Sequence, residues 1–158
     1  MSLPANAFCS IARTLEVLGQ KWNLLLLREA FYGRTRYGEF QRIGIPSDTL
    51  AARLDSLVAA GLLERRSYQP DGKRTRDEYV LTAAGKDAIT VLAALSEWGD
   101  RHLPLPDGPG IVFEVGDTGE PVHLRFLTEG GREVAADEVT AVHGPGWFAA
   151  KARLAADN

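Results

Sequence analysis

The chain has 158 residues, of which 45% are hydrophobic and 25% are charged, which is typical of a folded domain with room for a small appendage. No apolar stretch approaches the ~20 residues that a membrane-spanning helix needs, and the first residues lack the positive charge that opens an export signal. A single cysteine, Cys9, excludes a disulfide within the chain. We therefore expect a cytoplasmic protein without a membrane partner.

The net charge of -3 is unevenly distributed along the sequence. Residues 1–103 carry 14 basic and 12 acidic side chains, whereas residues 104–158 carry 4 and 9. The acidity therefore lies in the last third of the chain. The first part keeps a small positive charge, which is compatible with a nucleic-acid partner.

Apolar side chains recur at helical spacing in three segments of the first part. The spacing predicts helices over residues 8–18, 21–32 and 37–43. The second segment is apolar on more than one side and is expected to be the central helix of the core. The Gly-Ile-Pro sequence at 44–46 then breaks the chain sharply.

A fourth helix is predicted over residues 47–60. Ser47 is expected to cap it by accepting a hydrogen bond from a backbone N–H, and Asp48 suits the positive end of the helix dipole. A leucine stripe on one side leaves small and polar residues opposite it, as entry into a DNA groove requires, with Arg53 on the flank. The alternative is a plain surface helix with an alanine-rich face.

Two short strands, over residues 62–68 and 77–81, are separated by a turn-rich segment and predict a hairpin. The stretch 65–76 contains five basic residues and one acidic residue. Such a cluster neutralises phosphates where it faces DNA and is otherwise a solvated surface. A capped helix followed by a charged hairpin, or wing, is how a small domain reaches a DNA groove and its flanking phosphates.

Thr82 is expected to cap a long helix that ends near Trp98. The apolar arc of this helix is too wide to be covered by one small domain, which favours a partner surface. Together with the stripe on the first helix, it predicts a homodimer; the alternative is that both helices pack only within the chain. The predicted interface residues are Phe8, Ile11, Leu15, Ile89, Leu92, Leu95 and Trp98.

After residue 103 the sequence becomes rich in proline and glycine, which indicates a linker. Segments 111–115 and 122–127 look like strands joined by a turn, and a further turn leads to residues 133–134. The last residues, 147–156, are expected either to form a terminal helix or to fray.

These elements predict an α+β fold, mainly an α-helical winged helix-turn-helix domain with a small C-terminal β appendage. The predicted division is a DNA-binding and dimerisation domain over residues 1–103. A Pro/Gly-rich linker and a small β-rich extension follow over residues 104–158.

Short motifs over residues 7–103 resemble, in order and spacing, the HxlR family of winged helix-turn-helix transcriptional regulators. The motifs are CSIAR from Cys9, LGQKWNLLLLRE from Leu18, YGEF from Tyr37, IPSDTLAARL from Ile45, AGLLER from Ala60, EYVLTAAG from Glu78 and WGD from Trp98.

The resemblance implies a homodimer that reads a two-fold related double-stranded DNA operator. One recognition helix would enter each half-site, and the wings would contact flanking backbone or minor groove. The candidate DNA-binding residues are Arg36, Tyr37, Ser47, Asp48, Thr49, Ala52, Arg53, Lys73, Arg74 and Arg76.

Cys9 falls where the family commonly has a cysteine, which in some members senses oxidants or electrophiles. The resemblance makes Cys9 a candidate redox-sensing residue; the alternatives are an inert, buried thiol and gating by a small-molecule effector. Longer relatives carry paired cysteines that look like a zinc knuckle. Here the corresponding turns hold Thr118-Gly119 and Gly130-Gly131, so neither zinc nor another cofactor is expected.

The expected function is sequence-specific DNA binding in transcription regulation. Winged helices also serve as protein-interaction modules, which is the alternative, although the basic wing favours DNA. An enzyme is not expected, because the sequence contains no glycine-rich phosphate loop, nucleophile elbow or metal-ligand pattern.

Overall fold

The computed structural model describes residues 8–69 and 75–156, which form two compact units divided after Ile89. The α+β fold class predicted from the sequence is confirmed. Among the described residues, every helix is too short or too polar to cross a bilayer.

The first three predicted helices are confirmed. Helix α1 spans Ser10–Leu18, α2 spans Lys21–Phe31 and α3 spans Tyr37–Phe40, which a 3-10 turn continues over Gln41–Ile43. Phe40 is fully buried. Helix α2 packs against α1 and, farther along the chain, against the fourth helix and the wing, as a central helix should.

Helix α4 spans Ser47–Ala59 and begins after Gly44, whose φ of 79° lies in the left-handed region that favours glycine. The prediction that Ser47 caps this helix is wrong. Pro46, with φ -59° and ψ 141°, occupies the N-cap position, and Ser47 Oγ accepts instead from Gln41 Nε2 at 2.9 Å. A capping side chain must come from the extended residue before the helix, whereas Ser47 is already the first helical residue.

The core of the first unit is built around the inner side of α4. Leu50, Leu54 and Leu57 expose no surface, and Val58 beside them is half-buried. Each buried leucine stabilises the fold by about 1.5–3 kcal/mol, so the rotation of α4 about its axis is strongly determined. The largest fully buried apolar side chains are Leu26, Leu27, Phe40, Leu50, Leu54, Leu57 and Leu63.

The predicted hairpin is confirmed by two antiparallel strands, β1 over Leu63–Tyr68 and β2 over Arg76–Leu81. These strands form the wing. The Phe40 ring meets the buried Tyr79 ring of β2 edge to face, with centroids 6.4 Å apart. This contact joins the wing to the core of the first unit.

The prediction of one continuous helix after Thr82 is wrong. Helix α5 spans Ala83–Asp87, and α6 spans Ile89–His102. Thr82 does cap α5, because its Oγ1 accepts from the Gly85 N–H at 3.0 Å. The Ala88 N–H donates to the carbonyl three residues earlier, at 3.2 Å, and this tightening ends α5. The apolar periodicity continues through the break, so the sequence pattern does not reveal it.

Helix α5 lies directly on the base of the wing. The Thr82 hydroxyl donates to the Gly61 carbonyl at 2.6 Å, and the Thr82 N–H donates to the Leu62 carbonyl at 3.1 Å. A Cβ added at Gly85 would lie 2.0 Å from the Leu62 oxygen. The close approach therefore depends on glycine at this position.

Glu39 holds the start of α3. Its Oε2 accepts from the N–H groups of Arg36 at 3.0 Å and Thr35 at 2.9 Å. These two backbone hydrogen bonds, helped by the Arg36 and Arg34 charges, lower the pKa of the Glu39 carboxyl below its ordinary value of 4.5. The ionised carboxylate therefore stabilises the folded chain.

The second unit contains short antiparallel pairings. Strand β3 spans Phe126–Leu127 and pairs with β4 over Glu133–Val134, and an isolated bridge joins Glu114 to Pro121. The strands predicted from the sequence are thus realised only at these points.

The second unit ends in helix α7, Pro145–Ala156, so the helical alternative for the chain's last segment is confirmed. Among the described residues of this unit, Ala93 and Ala150 are the buried apolar side chains. Large apolar side chains, by contrast, keep substantial exposed surface throughout it.

We expect Gly85→Ala to lower the free energy of unfolding by about 1–3 kcal/mol, because the new methyl group meets the rigid Leu62 carbonyl. Urea denaturation followed by circular dichroism measures the change. Gly38→Ala is the matched control, since nothing lies within 4 Å of a Cβ there. That control should leave stability unchanged or raise it by up to ~1 kcal/mol. Equal destabilisation by both substitutions would contradict the docking of α5 on the wing.

We expect Glu39→Gln to lower the free energy of unfolding at pH 7 by roughly 1 kcal/mol, because the neutral amide accepts the two N–H groups less strongly. Since the folded-state pKa lies below the unfolded one, this stabilisation is present above the unfolded pKa and is lost as pH falls through the folded pKa. The difference between wild type and variant should therefore shrink in acid. Glu16→Gln is the control, because the Glu16 side chain is exposed and makes no hydrogen bond or ion pair within the described residues. A pH-independent difference for Glu39→Gln would contradict this account.

Candidate nucleic-acid interface

The outer side of α4 is small and polar. Asp48, Ala51, Ala52 and Asp55 are exposed along it, whereas Thr49 and Arg53 are half-buried at its edges. Ala51 and Asp55 extend the face beyond the residues named from the sequence. Short side chains leave room for the helix backbone to approach base edges closely, which suits this face to a DNA groove.

The N-terminus of α4 is held by α3 and the following turn. The Tyr37 hydroxyl donates to the Ser47 carbonyl at 2.9 Å, and Gln41 Nε2 donates to Ser47 Oγ at 2.9 Å. The structure thus brings Tyr37 and Ser47 together. Gln41 was missed by the sequence reasoning, because a glutamine in a short helix has no pattern that marks its partner six residues later.

Arg65 links the wing to α4. Its guanidinium pairs with Asp55 on the outer side of α4, lies 3.8 Å from Asp77 Oδ2 and stacks 5.5 Å from the centre of the Tyr79 ring. The Ser67 hydroxyl completes the cluster by donating to Asp77 at 3.2 Å. The cluster fixes the wing relative to the outer face of α4.

The charges of this cluster compensate one another. Tyr79 and the carboxylates of Asp55 and Asp77 raise the pKa of Arg65, so the guanidinium stays charged at any physiological pH. Burial raises the pKa of the Tyr79 hydroxyl. An aspartate on a DNA-facing helix would repel phosphates, and Arg65 offsets the charge of Asp55.

Arg36 lies between α3 and the wing. Its backbone forms an antiparallel bridge with Glu78, and its guanidinium stacks 5.1 Å from the centre of the Tyr68 ring. Next to it, the Tyr79 N–H donates to the Thr35 carbonyl at 2.7 Å. Arg36 therefore follows β2 like a third, very short strand, and its charge lies at the wing.

The basic cluster expected on the wing is partly neutralised. Arg65 pairs with carboxylates, and Arg66 pairs with Glu64. Lys73 and Arg74 lie outside the described residues. Arg76 is exposed and makes no ion pair with any described residue.

Two further arginines of the first unit make no ion pair within the described residues. Arg53 is half-buried on α4, and Arg42 is exposed in the turn before it. Arg42 was not singled out from the sequence. Its position in the turn before α4 is the signal that marks it as a candidate phosphate contact.

The remaining sequence-predicted residues lie on α6, on α1 or just before α1. Cys9 is half-buried at the N-cap of α1, where its carbonyl accepts from the Arg13 N–H at 3.0 Å. Ile11 of α1 is 72% exposed and Trp98 of α6 is 58% exposed. Leu15 of α1 and Leu95 of α6 are exposed, Ile89 and Leu92 of α6 are half-buried, and Phe8, which precedes α1, is also half-buried.

Comparison with known proteins gives consistent matches. The family described as HxlR-like helix-turn-helix matches residues 17–106. An uncharacterised HTH-type transcriptional regulator of Mycobacterium tuberculosis is 44% identical over 148 residues, which is 92% of this chain and 90% of that protein.

Solved structures agree with this match. PA1607, a candidate transcription factor, superposes with a TM-score of 0.74 at 34% identity, covering 87% of this chain and 96% of that one. The candidate transcription factor PA1374 of Pseudomonas aeruginosa gives a TM-score of 0.61 at 38% identity, covering 87% and 93%. Because the family match spans more than half of the chain and the relatives are aligned over nearly their full length, the chain belongs to the HxlR family of helix-turn-helix transcriptional regulators.

Proposed function

We propose that the protein is a sequence-specific DNA-binding regulator that acts as a homodimer on a two-fold related operator. The observation that carries the proposal is the small, polar outer face of α4, to which Arg65 ties the basic wing through Asp55. A groove-reading helix and a backbone-contacting wing must keep a fixed relative position, and this ion pair supports such a position.

On this proposal, Thr49, Ala52 and Arg53 face the bases. Arg53 has the forked guanidinium that suits a guanine edge, and Ala52 leaves space or contacts a thymine methyl. Ser47 and Asp48 lie in the first turn, where Asp48 suits a cytosine amine. Tyr37 acts indirectly, by holding the Ser47 carbonyl.

The wing supplies charge for the DNA backbone. Arg76 and Arg36 are cations at this place that make no ion pair with a described residue, and Lys73 and Arg74 remain predicted phosphate contacts. Arg42 extends the same role to the turn before α4. Contacts of this kind set register and affinity without reading sequence.

The exposed apolar side chains of α1 and α6 support the dimer. A second copy that covers Ile11, Leu15, Leu95 and Trp98 would remove a large apolar surface from water. In a two-fold dimer the distance between the recognition helices determines the half-site spacing. Modification at Cys9, close to the start of α1, or a small ligand would change that distance, and both remain predictions.

We expect Arg53→Ala to weaken operator binding by about 1–3 kcal/mol, because one base contact is lost. Footprinting on the DNA upstream of the protein's own gene identifies the fragment, and gel shifts on this fragment and on a scrambled one measure the loss. Arg66→Ala is the matched control, since Arg66 is paired with Glu64. The assignment of α4 to the groove is wrong if Arg53→Ala binds the operator as tightly as wild type.

We expect Arg76→Gln to weaken binding to all DNA sequences alike and to reduce the slope of log K against log salt by about one, because one phosphate contact is lost. Titrations between low and moderate salt measure this slope. Arg66→Gln should change it less, because Glu64 already offsets that charge. An unchanged slope for Arg76→Gln would contradict the proposal that the wing contacts the DNA backbone.

A further inference from the structure

The second unit contains a cleft of about 370 Å³. One wall is the last part of α6, with Glu97, Asp100 and Arg101. The other walls are the Pro/Gly-rich segment that follows and the bridged segment around residues 113–122. The volume is that of a small-molecule site.

The walls of the cleft are tied together. The Val122 N–H donates to the Phe113 carbonyl at 2.9 Å, and the Val115 N–H donates to the Glu120 carbonyl at 2.8 Å. The Leu124 N–H donates to Glu97 Oε1 at 2.8 Å, which fastens this hairpin to α6. Hydrogen bonds within the second unit therefore hold the walls of the cleft in place.

The lining is mostly apolar. Leu105 is 60% exposed and Val112 is 61% exposed, and Ile111 and Phe113 are half-buried beside them. Apolar surface that remains in contact with water gains about 25 cal/mol per Å² when an apolar group covers it. The walls thus favour a ligand with an apolar body.

The charged groups of the cleft are not equally available. Glu97 accepts from Leu124 and lies 3.7 Å from His123 Nδ1, and Arg125 donates to Glu133 at 3.2 Å and to the Leu124 carbonyl at 2.7 Å. The guanidinium of Arg101, in contrast, makes no ion pair or hydrogen bond with a described residue. Arg101 is therefore the cation left for a ligand.

Asp100 is the other charged residue of the lining that has no partner among the described residues. It opposes an anion, and together with Glu97 it balances the formal charges of Arg101 and Arg125, so the preference for an anionic head group rests on the available guanidinium of Arg101 and not on the net charge of the cleft. A guanidinium also binds a carboxylate with two parallel hydrogen bonds, which adds geometric specificity.

We propose that this cleft is an effector site for a small organic acid with an aromatic or branched apolar body. The body lies against Leu105, Val112 and Phe113, and the carboxylate pairs with Arg101. Helix α6 carries both this site and the predicted dimer residues Leu95 and Trp98, so a ligand that holds α6 to the hairpin acts on the dimer interface. This last step rests on the proposed function, whereas binding does not.

Calorimetric titration of the full chain with 2-naphthoate tests the site. We expect saturable binding, and at least tenfold weaker binding of the neutral 2-naphthalenemethanol and of the cationic 2-naphthylmethylamine. Arg101→Gln should weaken naphthoate binding at least tenfold, and Asp100→Asn should strengthen it. Arg132→Gln, an exposed arginine of the same unit outside the cleft, should leave binding unchanged.

Equal binding of the acid and the alcohol, tighter binding of the amine, no binding of naphthoate, or insensitivity to Arg101→Gln would each overturn the acid site. Thermal denaturation of each variant separates lost binding from lost folding. Operator affinity with and without naphthoate then tests the effector role. Naphthoate binding through Arg101 with unchanged operator affinity would overturn that role, and absence of any DNA binding would count against the proposed function alone.

Discussion

The burial of three leucines on one side of α4 is the constraint on which the rest of the first unit depends. Leu50, Leu54 and Leu57 lie on one stripe and are removed from water completely. Because helical residues three and four apart share a face, this burial forces Asp48, Ala52 and Asp55 outward. The candidate DNA-reading surface is therefore a consequence of core packing, because the burial of the leucines determines which side chains of α4 face outward.

Polar contacts add to the leucine packing in positioning α4 and the wing. Tyr37 and Gln41 fix the first residue of α4, and Arg65 fixes the wing against its outer side. Exposed contacts of this kind contribute little to stability, typically below about 1 kcal/mol each. Their contribution is to fix the relative position of α4 and the wing, because a recognition helix and a wing that move independently cannot match one DNA duplex.

The second unit is organised by a different principle. Its described residues bury few apolar side chains, and its short pairings hold a cleft beside the end of α6. The same helix contributes Glu97 and Arg101 to the cleft and exposes Leu95 and Trp98. An element shared by a ligand site and a predicted interface is the kind of device through which one binding event biases another.

Sequence periodicity by itself determined the helices around Phe40 and Leu54, the hairpin after them and the small outer face of α4, because these follow from local spacing of apolar residues. Periodicity did not predict the features that depend on backbone geometry or on contacts between residues distant in sequence. Pro46 took the cap position expected of Ser47, and a 3-10 bond at Ala88 divided the long helix without a change of apolar period. Only the tertiary structure decided that Arg65 pairs with Asp55 and that the Arg101 side chain finds no partner among the described residues, because residues far apart in sequence meet through packing that no local pattern encodes.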